Sequence, residues 1–443
     1  MTELWPRISV GSLAKVGEAS LQTGPFGTQL SAAEYVAKGI PVINVRNVGF
    51  GEIRDDDLEY VSEGKAEQLH HHVLQVGDIV FGRKGAVERH ALIGAGQDGW
   101  VQGSDCLRLR LNCPRFNVRF VSFYLRTKAH QDWMQALCSF GATMSSLNQD
   151  IVNRIQLPCP PRPVQDRIAA VLAAYDDLIA NNHRRIALLE SMAEEIYREW
   201  FVRMRFPGYA TAAHERGMPL GWQASTAAAM VHVQGGGTPS TEVSQYWGGE
   251  IPFFSPKDSH DGAYCLETEQ RITELGLENC ASRLFPKNTI FITARGTVGN
   301  LVLAGEPMAM NQSCYALVPK IDKKPYFIFT GLKCAVDVIK GVSNSGVFDN
   351  VVMDTFKIIP LINPGDALRD RYSEVAGPIY EQSLMLRRSN MHLRATRDAL
   401  LPRLISGKLR VDALDIKFPP SMQPPAEKMA QSAIIKQGLV HSG

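Results

Sequence analysis

Apolar residues in this chain follow two rhythms, and the longer one is helical. From Ile168 the apolar positions recur in alternating steps of four and three: Ile168, Leu172, Tyr175, Ile179, Asn182, Ile186, Leu189, Ala193, Ile196 and Trp200. This is a heptad seam held for more than four heptads, the pattern that keeps one stripe of a helix facing a partner helix. At ~1.5 Å per residue the helix is about 50 Å long. Asn182 is the polar member, and an Asn in a seam sets register at a cost in stability. A shift of 204 residues gives a rougher copy: Tyr372, Ala376, Ile379, Ser383, Leu386, Asn390, Leu393, Arg397, Leu400 and Leu404. Ser383 and Arg397 interrupt it, and Gly377-Pro378 predicts an early kink. Two seams of equal length in one chain predict a coiled coil, and chain length alone permits either direction.

The second rhythm is the short period of strands. Leu107, Leu109 and Leu111 alternate with Arg108 and Arg110, which predicts a half-buried strand. Ile79-Val80-Phe81 and Thr289-Ile290-Phe291-Ile292 are short apolar runs after turns and predict buried strands. Phe120 to Leu137 has helical spacing, with Phe120, Tyr124 and Trp133 as core residues.

These segments occur in two copies, in the same order. Gly24-Pro25-Phe26-Gly27-Thr28 is echoed by Gly235-Gly236-Gly237-Thr238-Pro239-Ser240, and Gly39-Ile40-Pro41-Val42-Ile43-Asn44 by Glu250-Ile251-Pro252-Phe253-Phe254-Ser255. The run from Gly77 to Gly85 is echoed by Pro286 to Gly296, and Val101 to Cys106 by Met310 to Cys314. Each copy then has a mixed helical region, a proline-marked break and one long helix. The expected class is α/β (α+β): a first globular part at 1–157, a helical region at 158–212, a second globular part at 213–359 and a second helix at 360–412. A flexible tail is expected at 413–443.

Composition narrows the chemistry. The chain has 443 residues, 45% hydrophobic and 21% charged, with a formal charge of +2. That balance is ordinary for a globular protein, so any nucleic-acid face must be a local patch. No apolar run reaches the ~18–20 residues of a membrane span, and Met1 to Val16 does not read as a signal peptide. The eight cysteines are scattered with no Cys-x-x-Cys pair, as in a cytoplasmic protein with reduced, structural thiols. Asn363-Pro364-Gly365 is not the Asn/Asp-Pro-Pro-aromatic loop of an adenine methyltransferase, and no Gly-x-x-x-x-Gly-Lys-Ser/Thr loop for nucleotide phosphates is present. His214-Glu215 lacks the second His of a zinc-protease helix, and His70-His71-His72 reads as exposed strand or loop. No catalytic centre and no metal site is therefore expected.

The helix from Gln165-Asp166-Arg167-Ile168 through Glu195-Ile196-Tyr197-Arg198-Glu199-Trp200-Phe201, followed by Phe206-Pro207-Gly208 and Pro219-Leu220-Gly221-Trp222, resembles the central conserved region of type I restriction–modification specificity subunits. Gly237-Thr238-Pro239-Ser240, Tyr246-Trp247-Gly248-Gly249 and Lys257-Asp258 resemble the entry to a target-recognition domain of that family. Leu404-Ile405-Ser406-Gly407-Lys408-Leu409 resembles the end of its second conserved helix. Val164 departs from the family's Pro-x-x-Glu-Gln. The resemblance spans roughly residues 15–412. It implies two target-recognition domains, each reading half of a split DNA sequence, joined by an antiparallel coiled coil. It also implies two partner methyltransferase subunits that carry S-adenosylmethionine, and motor-nuclease subunits that use ATP and Mg2+. Half-sites one helical turn apart lie ~34–36 Å from each other, within reach of a rod of about 50 Å.

Base reading needs donors and acceptors on loops, and phosphate contact needs Arg or Lys. The candidates beside repeated turns are Arg46, Asn47, Arg83, Lys84, Gln102 and Ser104 in the first part, and Lys257, Asp258, Ser259, Arg295, Asn311 and Gln312 in the second. Arg83 and Arg295, each at a turn after a buried strand, lead the two sets. The residues alone leave two other readings open. One is a coiled-coil scaffold that binds protein and shows no salt-dependent DNA affinity. The other is a specificity subunit that serves methylation without restriction.

Overall fold

The computed structural model describes residues 5–139, 146–215, 217–259, 262–320, 325–342 and 351–423. Contacts divide the chain into two compact units. One contains the chain up to Leu178 together with everything from Leu393 onward, and the other is Ile179–His392. The boundaries fall inside the two long helices, α1 (Arg162–Tyr197) and α2 (Asp366–Ile405). Each unit thus takes part of both helices into its own core.

The duplication expected from the sequence holds strand by strand. In the first unit a five-stranded sheet runs in the order 19–23, 106–111, 79–82, 90–92, 50–51. In the second the order is 231–235, 314–319, 290–293, 301–304, 264–265. Both sheets are antiparallel except for the last pair, which is parallel. Each unit adds a smaller sheet in which one strand pairs in parallel with a two-residue strand, 40–43 with 101–102 and 247–254 with 309–310. A ribbon closes each unit, 7–9 with 156–158 and 223–226 with 360–363.

Ile79, Val80, Phe81, Ile290, Phe291 and Ile292 are fully buried, as their apolar runs predicted. Phe120 and Tyr124 lie in the core, with Trp133 packed against it. The strand 106–111 differs from expectation on its polar face. Arg108 is buried and donates to the carbonyls of His71 and Val73, while Arg110 forms a two-pronged pair with the fully buried Asp78. The turn 70–73 covers that face, so its arginines serve as internal fasteners. His70-His71-His72 is accordingly a short 3-10 turn with His72 buried. No His/Cys/Asp/Glu cluster suited to a metal occurs among the described residues.

Within each unit the helix segments run antiparallel, and the polar seam positions have specific partners. In the second unit the buried Asn182 donates from Nδ2 to Oδ1 of the buried Asn390 at 2.8 Å. Glu190, also buried, accepts from Ser383, from Arg387 at 3.1 Å and from the backbone of Ala263 at 2.9 Å, which ties both helices to the globular part. Tyr372 donates to the Ala193 carbonyl at 3.0 Å. In the first unit Ile168 and Leu172 share a core with Leu401 and Leu404, and Asp176 receives both Arg126 and Arg397. The interruptions in the sequence pattern are therefore paired positions. α2 continues as helix through Gly377 and Pro378. A Cβ on Gly377 would stand 3.2 Å from the Tyr326 ring, which packs there and stacks on Tyr380.

The expected tail divides. Residues 413–423 lie on the first unit: Ser421 accepts from Arg119 at 2.9 Å and donates its N–H to Asp177 at 3.0 Å, and Ile416 and Met422 pack against the core. Residues 424–443 lie outside the described residues. No described helix is long and apolar enough to cross a membrane.

Candidate nucleic-acid interface

The four repeated sequence echoes meet at one end of each five-stranded sheet, through matching backbone bonds. In the first unit Gly103 N–H donates to Ile43, Arg83 N–H to Asp105 and Gly24 N–H to Cys106. In the second unit Asn311 N–H donates to Phe254 and Ala294 N–H to Ser313, matching the first two bonds, while the glycine turn bonds differently, Gly237 N–H donating to Met310. The glycine turn is glycine because it crosses the fourth repeated segment closely. A Cβ on Gly24 would lie 2.0 Å from the Gly103 carbonyl oxygen, and one on Gly236 would lie 2.1 Å from that of Asn311. This is a packing requirement on the backbone. The next repeated contact lies beyond the echoes: Leu147 N–H donates to Arg83, and Val351 N–H donates to Ala294.

The frame also shows which predicted residues face inward. Asn47 and Asp258 are equivalent, each closing a 3-10 turn by accepting from the backbone N–H three residues earlier, that of Asn44 at 3.0 Å and of Ser255 at 2.8 Å. Asn47 also donates to Arg54 and Asp56, and Asp258 also accepts from Glu269. Both are buried and hold their loops together. Gln102 is likewise fully buried, donating to the carbonyls of Gln22 and Cys106. Strand register puts it at the position of Met310, a core residue. Ser259 is nearly buried, and its hydroxyl has no partner.

The remaining candidates reach solvent. Arg46 pairs with Glu59 at 3.2 Å and its equivalent Lys257 with Glu269 at 3.3 Å, both on the surface. Such pairs contribute ~0–1 kcal/mol and can open for a phosphate. Lys84 pairs with Asp105 at 3.0 Å. Register makes Lys84, not Arg83, the equivalent of Arg295, since Gly82 and Thr293 occupy matching places opposite Cys106 and Cys314. Both precede a glycine with positive φ. Arg83 instead turns its Nε toward the Leu147 carbonyl at 3.4 Å. Arg295 is exposed and has no side-chain partner among the described residues. Ser104 and Asn311 are half-buried, Asn311 accepting from the Ser313 N–H. Gln312 is exposed and accepts from Thr238. Burial pushes the Cys106 thiol up to about 12 and raises its equivalent Cys314 further, so both stay protonated and inert.

In the first unit residues from outside the repeats gather around the glycine turn. Gln22, Thr23, Gly24, Phe26, Gln29, His71, His72 and Gln149 line an open cleft of about 520 Å³ beside the glycine turn. The turn itself was legible from its glycines. Gln149 and His72 are remote in sequence and carry no motif, so only the fold brings them there.

Comparison with known proteins agrees with this architecture. The sequence profile of the type I restriction modification DNA specificity domain matches residues 10–191 and again 219–366. The chain is 23% identical over 303 residues to the type I restriction enzyme MjaIX specificity subunit of Methanocaldococcus jannaschii, covering 67% of this chain and 70% of that one. It is 19% identical over 400 residues to the HindI specificity subunit of Haemophilus influenzae, covering 76% and 87%. The crystal structure of the type I restriction–modification S subunit from M. genitalium shares the fold, with a TM-score of 0.53 at 15% identity over 91% of this chain and 97% of that one.

Proposed function

The chain belongs to the type I restriction–modification DNA specificity family, and from that premise we propose that each unit reads one half of a split DNA target. The observation that carries this is the duplicated frame. Two units use the same backbone bonds to present different side chains, as expected of two readers built on one scaffold. The exposed Arg46, Lys84, Lys257 and Arg295 supply positive charge at these turns for phosphate or base edges.

The chain would not itself catalyse. It would direct methyltransferase subunits carrying S-adenosylmethionine to adenines in the target, in the cytoplasm. Motor-nuclease subunits using ATP and Mg2+ would join where the system restricts. A restricting and a methylation-only system would use this subunit alike. Helix length would set the unread gap, so adding one heptad to each long helix should lengthen the gap and leave both half-sites unchanged.

The test is to co-express the chain with its genomic neighbour methyltransferase in a methylation-free host and to map modified adenines by single-molecule sequencing. A two-part motif with a gap of fixed length is the expected result. No new methylation from an assembled, folded complex would favour the scaffold reading.

A further inference from the structure

The cleft of the first unit is lined by amides and carries no charged side chain apart from what its histidines can bear. Gln29 and Gln149 each commit one end to the protein. The Oε1 of Gln29 accepts from the Phe26 N–H at 3.1 Å, and the Nε2 of Gln149 donates to the Thr23 hydroxyl at 3.0 Å. This leaves a donor on Gln29 and an acceptor on Gln149 for whatever enters. Phe26 stands at the same cleft as a 67% exposed residue, an apolar group beside the free amide ends.

Beneath them lies unsatisfied polarity. His72 lines the cleft, is more than nine-tenths buried, and has no partner for Nδ1. Burial, with Arg108 nearby, pushes its pKa down, so the ring is neutral near pH 7. Gln102, which donates to the backbone of the lining residue Gln22, keeps a buried Oε1 without a partner. A buried polar atom without a partner costs about 1–3 kcal/mol; both atoms are closed to solvent, so the ends of the lining that face a ligand are those of Gln29 and Gln149.

An uncharged, flat ligand that offers both a donor and an acceptor along one edge, with apolar surface beside them for Phe26, fits this lining. We propose that the cleft takes the edge of a nucleobase from the first half of the DNA target, with Gln29 and Gln149 as its specificity-determining residues and Phe26 packed against it. Adenine is the base indicated, because its major-groove edge presents an N7 acceptor and an N6 donor side by side, whereas guanine presents two acceptors there. The inference rests on the DNA-reading function proposed above and assigns it to particular side chains.

The experiment uses the assembled complex of the full chain with its methyltransferase partner. Gln29→Ala and Gln149→Ala are compared with the unaltered chain by the methylated fraction at every single-base variant of its motif. Both side chains are exposed, so the substitutions spare the core. The expected result is that discrimination falls at least tenfold at one or two positions of a single half-site, adenine among them, while the other half-site is read as strictly as before. If a variant no longer methylates, its affinity for duplexes substituted at each position is measured instead. Discrimination lost at those positions supports the proposal. Both variants reading every position as strictly as the unaltered chain would overturn it. An unaltered complex that methylates no two-part motif would overturn the DNA-reading function itself, a separate failure.

Discussion

The two units share a backbone frame and differ in what fills it. In the first, the glycine turn opens onto a neutral cleft with free amide ends. In the second, Thr238 of the equivalent turn bonds across to Gln312, and the exposed Arg295 stands where the first unit has an ion-paired Lys84. The frame is made of backbone bonds, which tolerate changes of side chain, so the two units can diverge without refolding. Under the function proposed above, the two half-sites should therefore differ in sequence, with the second relying more on direct contact from Arg295.

The strongest way to break this comparison is through the glycines. Gly24→Val and Gly236→Val each force a Cβ against a backbone oxygen. Each should abolish recognition of its own half-site, a loss of a hundredfold or more in specific affinity, and leave discrimination at the other. Binding to duplexes with one half-site scrambled measures this, and loss of both half-sites by either variant would mean that the frames are not independent readers.

Acid should also separate the units. Within the described residues the buried histidines, His72, His90 and His130, all belong to the first unit. Burial lowers His130 to about 4 and holds His90 well below the ordinary range, with Arg126 adding to the effect on His90. Unfolded, these rings take a proton near pH 6.5; folded, they do not. Their contribution is thus fully present above pH 6.5 and is lost as pH falls toward 4, by about 3 kcal/mol for His130 alone. Amide exchange at pH 5 against pH 7, corrected for intrinsic rates, should show segment 106–125 destabilised more than segment 290–319. Equal destabilisation would refute the account.

The helix seam gives a smaller effect. Asn390→Ala leaves the buried Asn182 amide without its partner and should lower stability by about 1–3 kcal/mol. Replacing both with Leu should recover much of that loss, as read by denaturant midpoints. Smallest is the contrast at the basic turns. Arg295→Ala should weaken DNA binding by ~1–3 kcal/mol if it grips a base, whereas Lys84→Ala, which also frees Asp105, should change affinity less. Titrations at two salt concentrations separate them, and a Lys84 effect equal to that of Arg295 would remove the distinction drawn here.

Much of this was legible in the order of residues. The seam positions from Ile168 to Trp200 lie buried or half-buried, and the strands at 79–82 and 290–293 are core. The four paired echoes are the segments that meet at one end of each sheet. The individual reading residues were less legible. Asn47, Gln102 and Asp258 have the polar side chains a base reader needs, yet they are turned inward to satisfy local backbone. Polarity and a neighbouring turn do not tell a loop-closing amide from a free one.

The sequence by itself determined the period of the helices, the duplication and the turns that only glycine can make, because these depend on local geometry and on spacing along the chain. Only the tertiary structure decided that the seams run antiparallel, that Asn182 meets Asn390, that Lys84 rather than Arg83 matches Arg295, and that Gln149 joins the glycine turn at a cleft. Those outcomes depend on which distant groups find each other when backbone and buried polar atoms must all be satisfied, and no local pattern encodes them.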